Sequence, residues 1–170
     1  MNGTPTISAI VLTYNEERHI RECLESVTWC DEIWVVDSFS TDRTLEISQE
    51  YTDSIVQHPF EDFAKQRNWA LDNLPLAGEW VLFVDADESI PEGLAQEIQQ
   101  RLKADKGRYS GYYIAGEQYF WGKPLRFGTA APDYHLKLFR RDAGRYSEEK
   151  IVHESLRLDG EIGFMKHPRR

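Results

Sequence analysis

Through its first half the chain alternates between short apolar runs and longer segments whose apolar positions recur every three or four residues. ISAIVL (Ile7–Leu12) predicts a buried strand, and EERHIRECLESV a helix with Ile20, Cys23, Leu24 and Val27 on one face. EIWVVD (Glu32–Asp37) predicts a second strand. STDRTLEISQEY predicts a second helix, with Ser40, Thr41 or Asp42 as its N-cap. SIVQ (Ser54–Gln57) is a short third strand. FEDFAKQRNWALDNL then places Phe63, Arg67, Ala70, Leu71 and Leu74 along one side of a helix that Pro75 ends. WVLFV predicts a fourth strand, and SIPEGLAQEIQQRLKAD a helix with Pro91 in its first turn and Leu94, Ala95, Ile98 and Leu102 inward.

Strands and helices in this order predict right-handed βαβ units around a mainly parallel sheet. The strands are continuously apolar rather than alternating, as burial on both faces requires. Ligands of such sheets bind beyond the carboxyl ends of the strands. Those ends read TYNEE, DSFSTD and DADES, which brings polar and acidic residues to one rim.

The second half has another character. GYYIAGEQYFWGKPLRFG is aromatic and glycine-rich. DYHLKLFRR sets Leu136, Leu138 and Arg140 against His135, Lys137 and Phe139, and ESLRLDGEIGF offers Asp159-Gly160 as a two-residue hairpin turn. These features predict antiparallel strands and loops closing over the rim, in one domain with the first half. Tyr112, Tyr113, Tyr119, Phe120 and Trp121 are suited to stacking on a sugar, and equally to packing a sheet.

Composition narrows the classes. The chain has 170 residues and a formal net charge of −9, which excludes wrapping nucleic acid, where a basic face is needed. No apolar run approaches the ~20 residues of a membrane span, and MNGTPTISAI lacks the form of a signal peptide. Cys23 and Cys30 are too few for a disulfide scaffold or a zinc site, so a reducing cytoplasm is expected. The basic ending FMKHPRR suggests a catalytic portion cut short at its C-terminus, with peripheral contact at the inner face of the cytoplasmic membrane.

Asp85 and Asp87, one residue apart beyond a buried strand, can share a hard divalent cation, Mg²⁺ or Mn²⁺, with a phosphorylated ligand. Nothing beside them in sequence supplies positive charge. The plain alternative is that Asp85 caps the following loop while Asp87 and Glu88 face water.

ISAIVLTYNEERHIRECLESV, EIWVVDSFSTDRT and WVLFVDADE, in this order and spacing, resemble the family 2 glycosyltransferases of the GT-A fold. FAKQRNWAL, YHLKLFRR and IVHESL make the chain most similar to the lipopolysaccharide core β-1,4-glucosyltransferase subgroup. The resemblance implies a nucleotide-binding half (residues 1–105) and an acceptor-side half (106–170). It implies metal-dependent, inverting transfer of a hexose, glucose foremost, from a UDP-sugar to a glycan or glycolipid acceptor.

The site residues it implies are as follows. Thr13, Tyr14, Asn15 and Glu16 surround the base and ribose, and Asp37 accepts the uracil imide N–H. Lys65 and Arg67 counter the diphosphate, although two residues apart they cannot share a helical face. Asp85 is the ribose-side carboxylate and Asp87 the metal ligand. Glu154 is the general base that an inverting transfer requires, with His153 a diphosphate or metal contact; Asp133 is the reserve base on the residues alone, as a loop acid before a strand that could also reach the acceptor. Arg140 and Arg141 are either phosphate ligands or a solvated strand end. Two other readings stand beside this one: a nucleotidyltransferase, whose glycine-rich phosphate loop is missing from TYNEE, and a non-catalytic nucleotide-sugar-binding domain.

Overall fold

In the computed structural model residues 5–117, 119–120, 123–124, 133–147 and 156–170 are described. The first half follows the sequence pattern closely: β1 (Ile7–Thr13), α1 (Ile20–Ser26), β2 (Glu32–Asp37), α2 (Thr44–Ser48), β3 (Ile55–Gln57), α3 (Phe63–Asn73), β4 (Trp80–Asp85) and α4 (Glu92–Ala104). The second half is mostly strand: β5 (Tyr109–Gly116), β6 (Tyr119–Phe120), β7 (Lys123–Pro124), β8 (Asp133–Arg140), β9 (Gly144–Tyr146), β10 (Leu156–Leu158) and β11 (Glu161–Phe164).

Seven strands form the main sheet in the order β11-β5-β8-β4-β1-β2-β3, and β8 alone runs against its neighbours. Alternate residues of β1 serve opposite faces. Ala9 and Val11 face a core with Leu24 of α1 and Leu94 and Ile98 of α4. Ile10 and Leu12 face a second core with Ala70 and Leu71 of α3 and Phe83 of β4. Each fully buried Leu or Ile stabilises this arrangement by roughly 1.5–3 kcal/mol.

Local chemistry sets the helix ends. The Asp62 side chain accepts the Lys65 N–H at 2.8 Å to start α3. Leu74 lies in extended backbone because Pro75 excludes the helical region for the residue before it. Pro91 sits one residue outside α4, as its cap, rather than in the first turn.

Two expectations need correction. The alternation that sets Leu136 and Leu138 against Lys137 and Phe139 does not divide buried from exposed positions: all four are buried, because β8 is inserted between β4 and β5. Asp159-Gly160 turns the chain, with Gly160 at φ +117°, but does not make a hairpin. β10 pairs with β9, whereas β11 joins β5 in parallel, so the turn hands the chain from one sheet to another.

Candidate functional site

The parallel register sets Thr13 beside Asp37 and Leu12 beside Asp85, so the ends of β1, β2 and β4 stand level at one rim. Because β8 is antiparallel, it delivers its first residues to that same rim. A cleft of about 970 Å³ opens there, lined by Thr13, Tyr14, Glu16, Ser38, Phe39, Phe60, Phe63, Gln66, Arg67, Asp85, Asp87, Glu88, Asp133, His135 and Arg169, among others. A second cavity of about 700 Å³ shares Arg67, Asp133 and His135 with it and continues past Tyr113, Tyr134, Tyr146 and Leu156.

The donor-side loops are held by side chains. Asn15 adopts the left-handed region at φ 52°, which asparagine tolerates. Its Oδ1 accepts the Thr41 N–H and its own N–H donates to Ser40 Oγ, both at 2.8 Å. Asp37 is fully buried behind the cleft wall. Its carboxylate accepts the Ser40 N–H and the Gln57 amide at 2.9 Å each, as well as the Ser40 hydroxyl. Asn15 and Asp37 therefore shape the loop that carries Ser38 and Phe39, and neither lines the cleft. Phe39 has φ 62°, an outlier for an aromatic residue, and its exposed ring forms part of the wall. Thr13 is buried, and among the described residues its hydroxyl has no hydrogen-bond partner.

Arg67 and Lys65 part company, as their spacing requires. Lys65 is exposed, pairs with Glu61 one turn back and does not line the cleft. Arg67 lies on the cleft floor with its guanidinium 5.3 Å from the rings of both Phe63 and Tyr146, and it donates to Asp85 Oδ1 at 3.2 Å. Phe63, one turn before Arg67 on the same helical side, is exposed at the cleft.

The acidic segment divides into two parts. Lys137 Nζ donates to Asp85 Oδ2 at 2.7 Å and also to Glu88, while Arg169 Nε donates to Glu88 Oε1 at 2.6 Å. Burial works to raise the pKa of Asp85, but the adjacent Lys137 and Arg67 outweigh it and the net shift is downward. The positive charge missing from the local sequence is thus supplied for these two carboxylates by three distant basic residues. Asp87 differs. It is exposed, has no basic partner among the described residues, and its pKa is pushed up by desolvation and by the charges of Glu88, Asp85 and Glu16. Among the described residues no three His, Cys, Asp or Glu side chains gather as a metal cage. One uncompensated carboxylate facing a cleft nevertheless suits Mg²⁺ or Mn²⁺, which complete their shells with water and phosphate oxygens.

Asp133 stands across the cleft, with Oδ1 2.9 Å from His135 Nε2 and Oδ2 4.0 Å from an Arg169 nitrogen. His153, Glu154 and Trp121 lie outside the described residues. Arg140 and Arg141 serve the scaffold: Arg140 pairs with Asp105 at 3.0 Å, stacks on Trp80 and reaches the Tyr109 carbonyl, and Arg141 donates to the Leu76 carbonyl at 2.6 Å. Lys137, Glu88 and Arg169 were not foreseen as site residues. The one local signal was the basic ending of the chain.

Comparison with known proteins gives three results. The profile of "Glycosyl transferase family 2" matches residues 8–158. The chain is 32% identical over 162 residues to the lipopolysaccharide core biosynthesis glycosyltransferase LpsC of Rhizobium meliloti (strain 1021), covering 92% of this chain and 59% of that protein. It is 33% identical to the uncharacterized glycosyltransferase RT0209 of Rickettsia typhi (strain ATCC VR-144 / Wilmington), covering 94% of this chain and 55% of that one. The chain thus spans a little over half the length of these relatives. Among solved structures, S. aureus TarS 1-349 in complex with UDP-GlcNAc superposes with a TM-score of 0.58 at 26% identity, over 80% of this chain and 45% of that one. The mannosyltransferase PcManGT from Pyrobaculum calidifontis in complex with GDP-Man and Mn²⁺ gives a TM-score of 0.56 at 25% identity, over 67% and 36% of the two chains.

Proposed function

The chain belongs to glycosyl transferase family 2, and from that membership and the geometry of the rim we propose that it transfers a hexose, glucose foremost, from a UDP-sugar to a hydroxyl of a lipopolysaccharide-core or related glycan acceptor, inverting the anomeric carbon. The observation that carries this is the division within the acidic segment. Asp85 and Glu88 are tied down by Lys137, Arg67 and Arg169, which leaves Asp87 projecting into the same cleft with no basic partner among the described residues. The UDP-GlcNAc bound to TarS, the Mn²⁺ bound to PcManGT and the lipopolysaccharide role in the name of LpsC support the donor, metal and acceptor classes.

In this reading Thr13, Tyr14 and Glu16 line the nucleoside end of the cleft, and the Thr13 hydroxyl, without a partner among the described residues, hydrogen-bonds the nucleotide sugar. Asn15 and Asp37 act through the loop they hold. Asp85 keeps acceptor capacity for a ribose hydroxyl, since each oxygen holds one partner and can take another. Arg67 faces the diphosphate, and Lys65 has no part. Asp87 would hold a divalent cation together with the diphosphate, which when bound offsets the charge of the leaving group. The acceptor enters through the cavity beyond Asp133 and His135, and its hydroxyl oxygen attacks the anomeric carbon on the face opposite the diphosphate. A new C–O bond forms as the bond to the diphosphate breaks, and that electron pair leaves with UDP. The acceptor's proton passes to a carboxylate, which we assign to Asp133, the acid standing at the junction of the two cavities.

Release of the nucleoside diphosphate should be measured for UDP-glucose, UDP-GlcNAc, UDP-galactose (UDP released) and GDP-mannose (GDP released), with and without Mn²⁺. Release from a UDP-sugar only with the metal is the expected result, and no release from any donor would leave a binding domain. Asp87→Asn should weaken UDP binding in the presence of Mn²⁺ by about tenfold or more in calorimetry, since even outer partners of a metal site cost that much. Unchanged affinity would remove the metal role. Asp133→Asn and Glu154→Gln, compared at saturating donor, decide the base: the one that stops transfer while donor binding persists is the proton acceptor.

A further inference from the structure

Arg169 lies outside the residues matched by the family profile, which end at 158, yet it forms part of the cleft wall. Its side chain is only 7% exposed and is used in three directions. Nε donates to Glu88 Oε1 at 2.6 Å, one terminal nitrogen donates to the Ile114 carbonyl at 2.9 Å, and the other stands 4.0 Å from Asp133 Oδ2. The guanidinium lies against Gly116, where a Cβ would come within 3.2 Å of its central carbon. Position 116 is therefore a gap through which the arginine reaches the rim.

The backbone is fastened as firmly. Arg169 N–H donates to the Ala115 carbonyl at 2.9 Å, and Glu117 N–H to the Arg169 carbonyl at 2.8 Å. Ser89 and Arg170 exchange N–H to carbonyl bonds of 2.7 and 3.0 Å. The segment after β11 is thereby stitched between the end of β5 and the loop that follows β4, the loop carrying Asp87. A guanidinium has the planar fork to satisfy several directions at once, whereas a lysine ammonium is a single point charge.

We propose that Arg169 is a positioning residue for sugar transfer, fixing the acidic loop through Glu88 and the Asp133 carboxylate on the opposite wall. The inference rests on the reading of Asp133 as the base. A purely structural arginine would change stability without a selective effect on turnover.

The test uses the 170-residue chain with Mn²⁺ and whichever of UDP-glucose and UDP-GlcNAc the wild type turns over faster, following released UDP. Arg169→Gln should lower kcat about 10- to 100-fold while the donor KM stays within about threefold, the signature of an interaction serving the reacting state. Arg169→Lys should recover part of that loss. Gly116→Ala, which nudges the guanidinium without removing its charge, should lower kcat several-fold and serves as the second variant if Arg169→Gln does not fold. In the double variant Asp133→Asn/Arg169→Gln, the loss in kcat should be clearly smaller than the product of the two single losses, because part of what Arg169 does runs through Asp133.

Normal kcat in folded Arg169→Gln or Gly116→Ala, with Asp133→Asn impaired, overturns the role of Arg169 alone. So does a double variant whose losses multiply. Full activity in Asp133→Asn removes the base assignment and this inference with it.

Discussion

Lys137 shows how much of this site depends on a single side chain. It is 5% exposed, and it donates to both Asp85 and Glu88 at a point where the sequence presents only negative charge. An ammonium in this position stabilises the site only because both its carboxylates are within hydrogen-bond reach and each has a second basic partner. Replacing it with methionine keeps the length of the chain and leaves two partly buried carboxylates 3 residues apart with one cation fewer between them. Removing one partner of a buried pair costs about 3–5 kcal/mol, and the low end, about 3 kcal/mol, is expected because Arg67 and Arg169 remain. The urea midpoint of Lys137→Met, read at neutral pH, checks this. A midpoint matching wild type would mean that the carboxylates are neutralised some other way. The role of Lys137 could not be read locally, since 52 residues separate it from Asp85.

Among the elements, the strands and helices of the first half were readable because each carries its own pattern. β1 is buried along its whole length, and α4 buries the four positions its period marks. Failures came where partner choice is tertiary. The Asp159-Gly160 signal is a genuine turn, but no local feature says that β10 will seek β9 while β11 seeks β5. The placement of β8 inside the sheet is likewise set by what β4 and β5 leave open. α3 is joined to β9 by the exposed Asp72–Arg145 ion pair and by the buried Asn68, whose amide donates to the Tyr146 carbonyl at 3.0 Å and accepts the Tyr146 N–H at 2.9 Å. Since Arg67 stacks on Tyr146, this pair also sets the cleft floor. Asn68→Ala removes both buried bonds together and should cost about 2 kcal/mol. Chemical denaturation measures that loss, and a change below about 0.5 kcal/mol, the scatter of ordinary surface substitutions, would show that the pair does not fasten the helix.

At the scale of the whole molecule, the rim is where the chain's distant parts meet: β1, β2 and β4 bring their carboxyl ends, β8 its beginning, and the last residues close the wall. The basic ending, which the sequence suggested as a membrane contact, is tied into the fold, and Glu97 of α4 is its anchor. The Glu97 carboxylate accepts the Lys166 and His167 N–H groups, each at 2.9 Å, the His167 ring nitrogen at 2.8 Å and Arg101 Nε at 2.9 Å. Burial works to raise its pKa, but these donors outweigh it and hold the pKa below the ordinary 4.5. A carboxyl whose pKa is lower folded than unfolded binds more protons in the unfolded chain. Its contribution is therefore complete above about pH 4.5 and is lost as pH falls through the depressed folded value. Glu97→Gln, which keeps the shape and removes the charge, should lie below wild type at pH 7 by about 2 kcal/mol, or roughly 4–8 °C in Tm for a chain of this size. The gap should hold down to about pH 5 and close below it, as protonation makes the wild-type side chain resemble the amide. Melting curves of the two proteins from pH 7 to pH 3 decide the matter: a gap that stays constant across that range would mean that the charge of Glu97 does not hold the final segment in place.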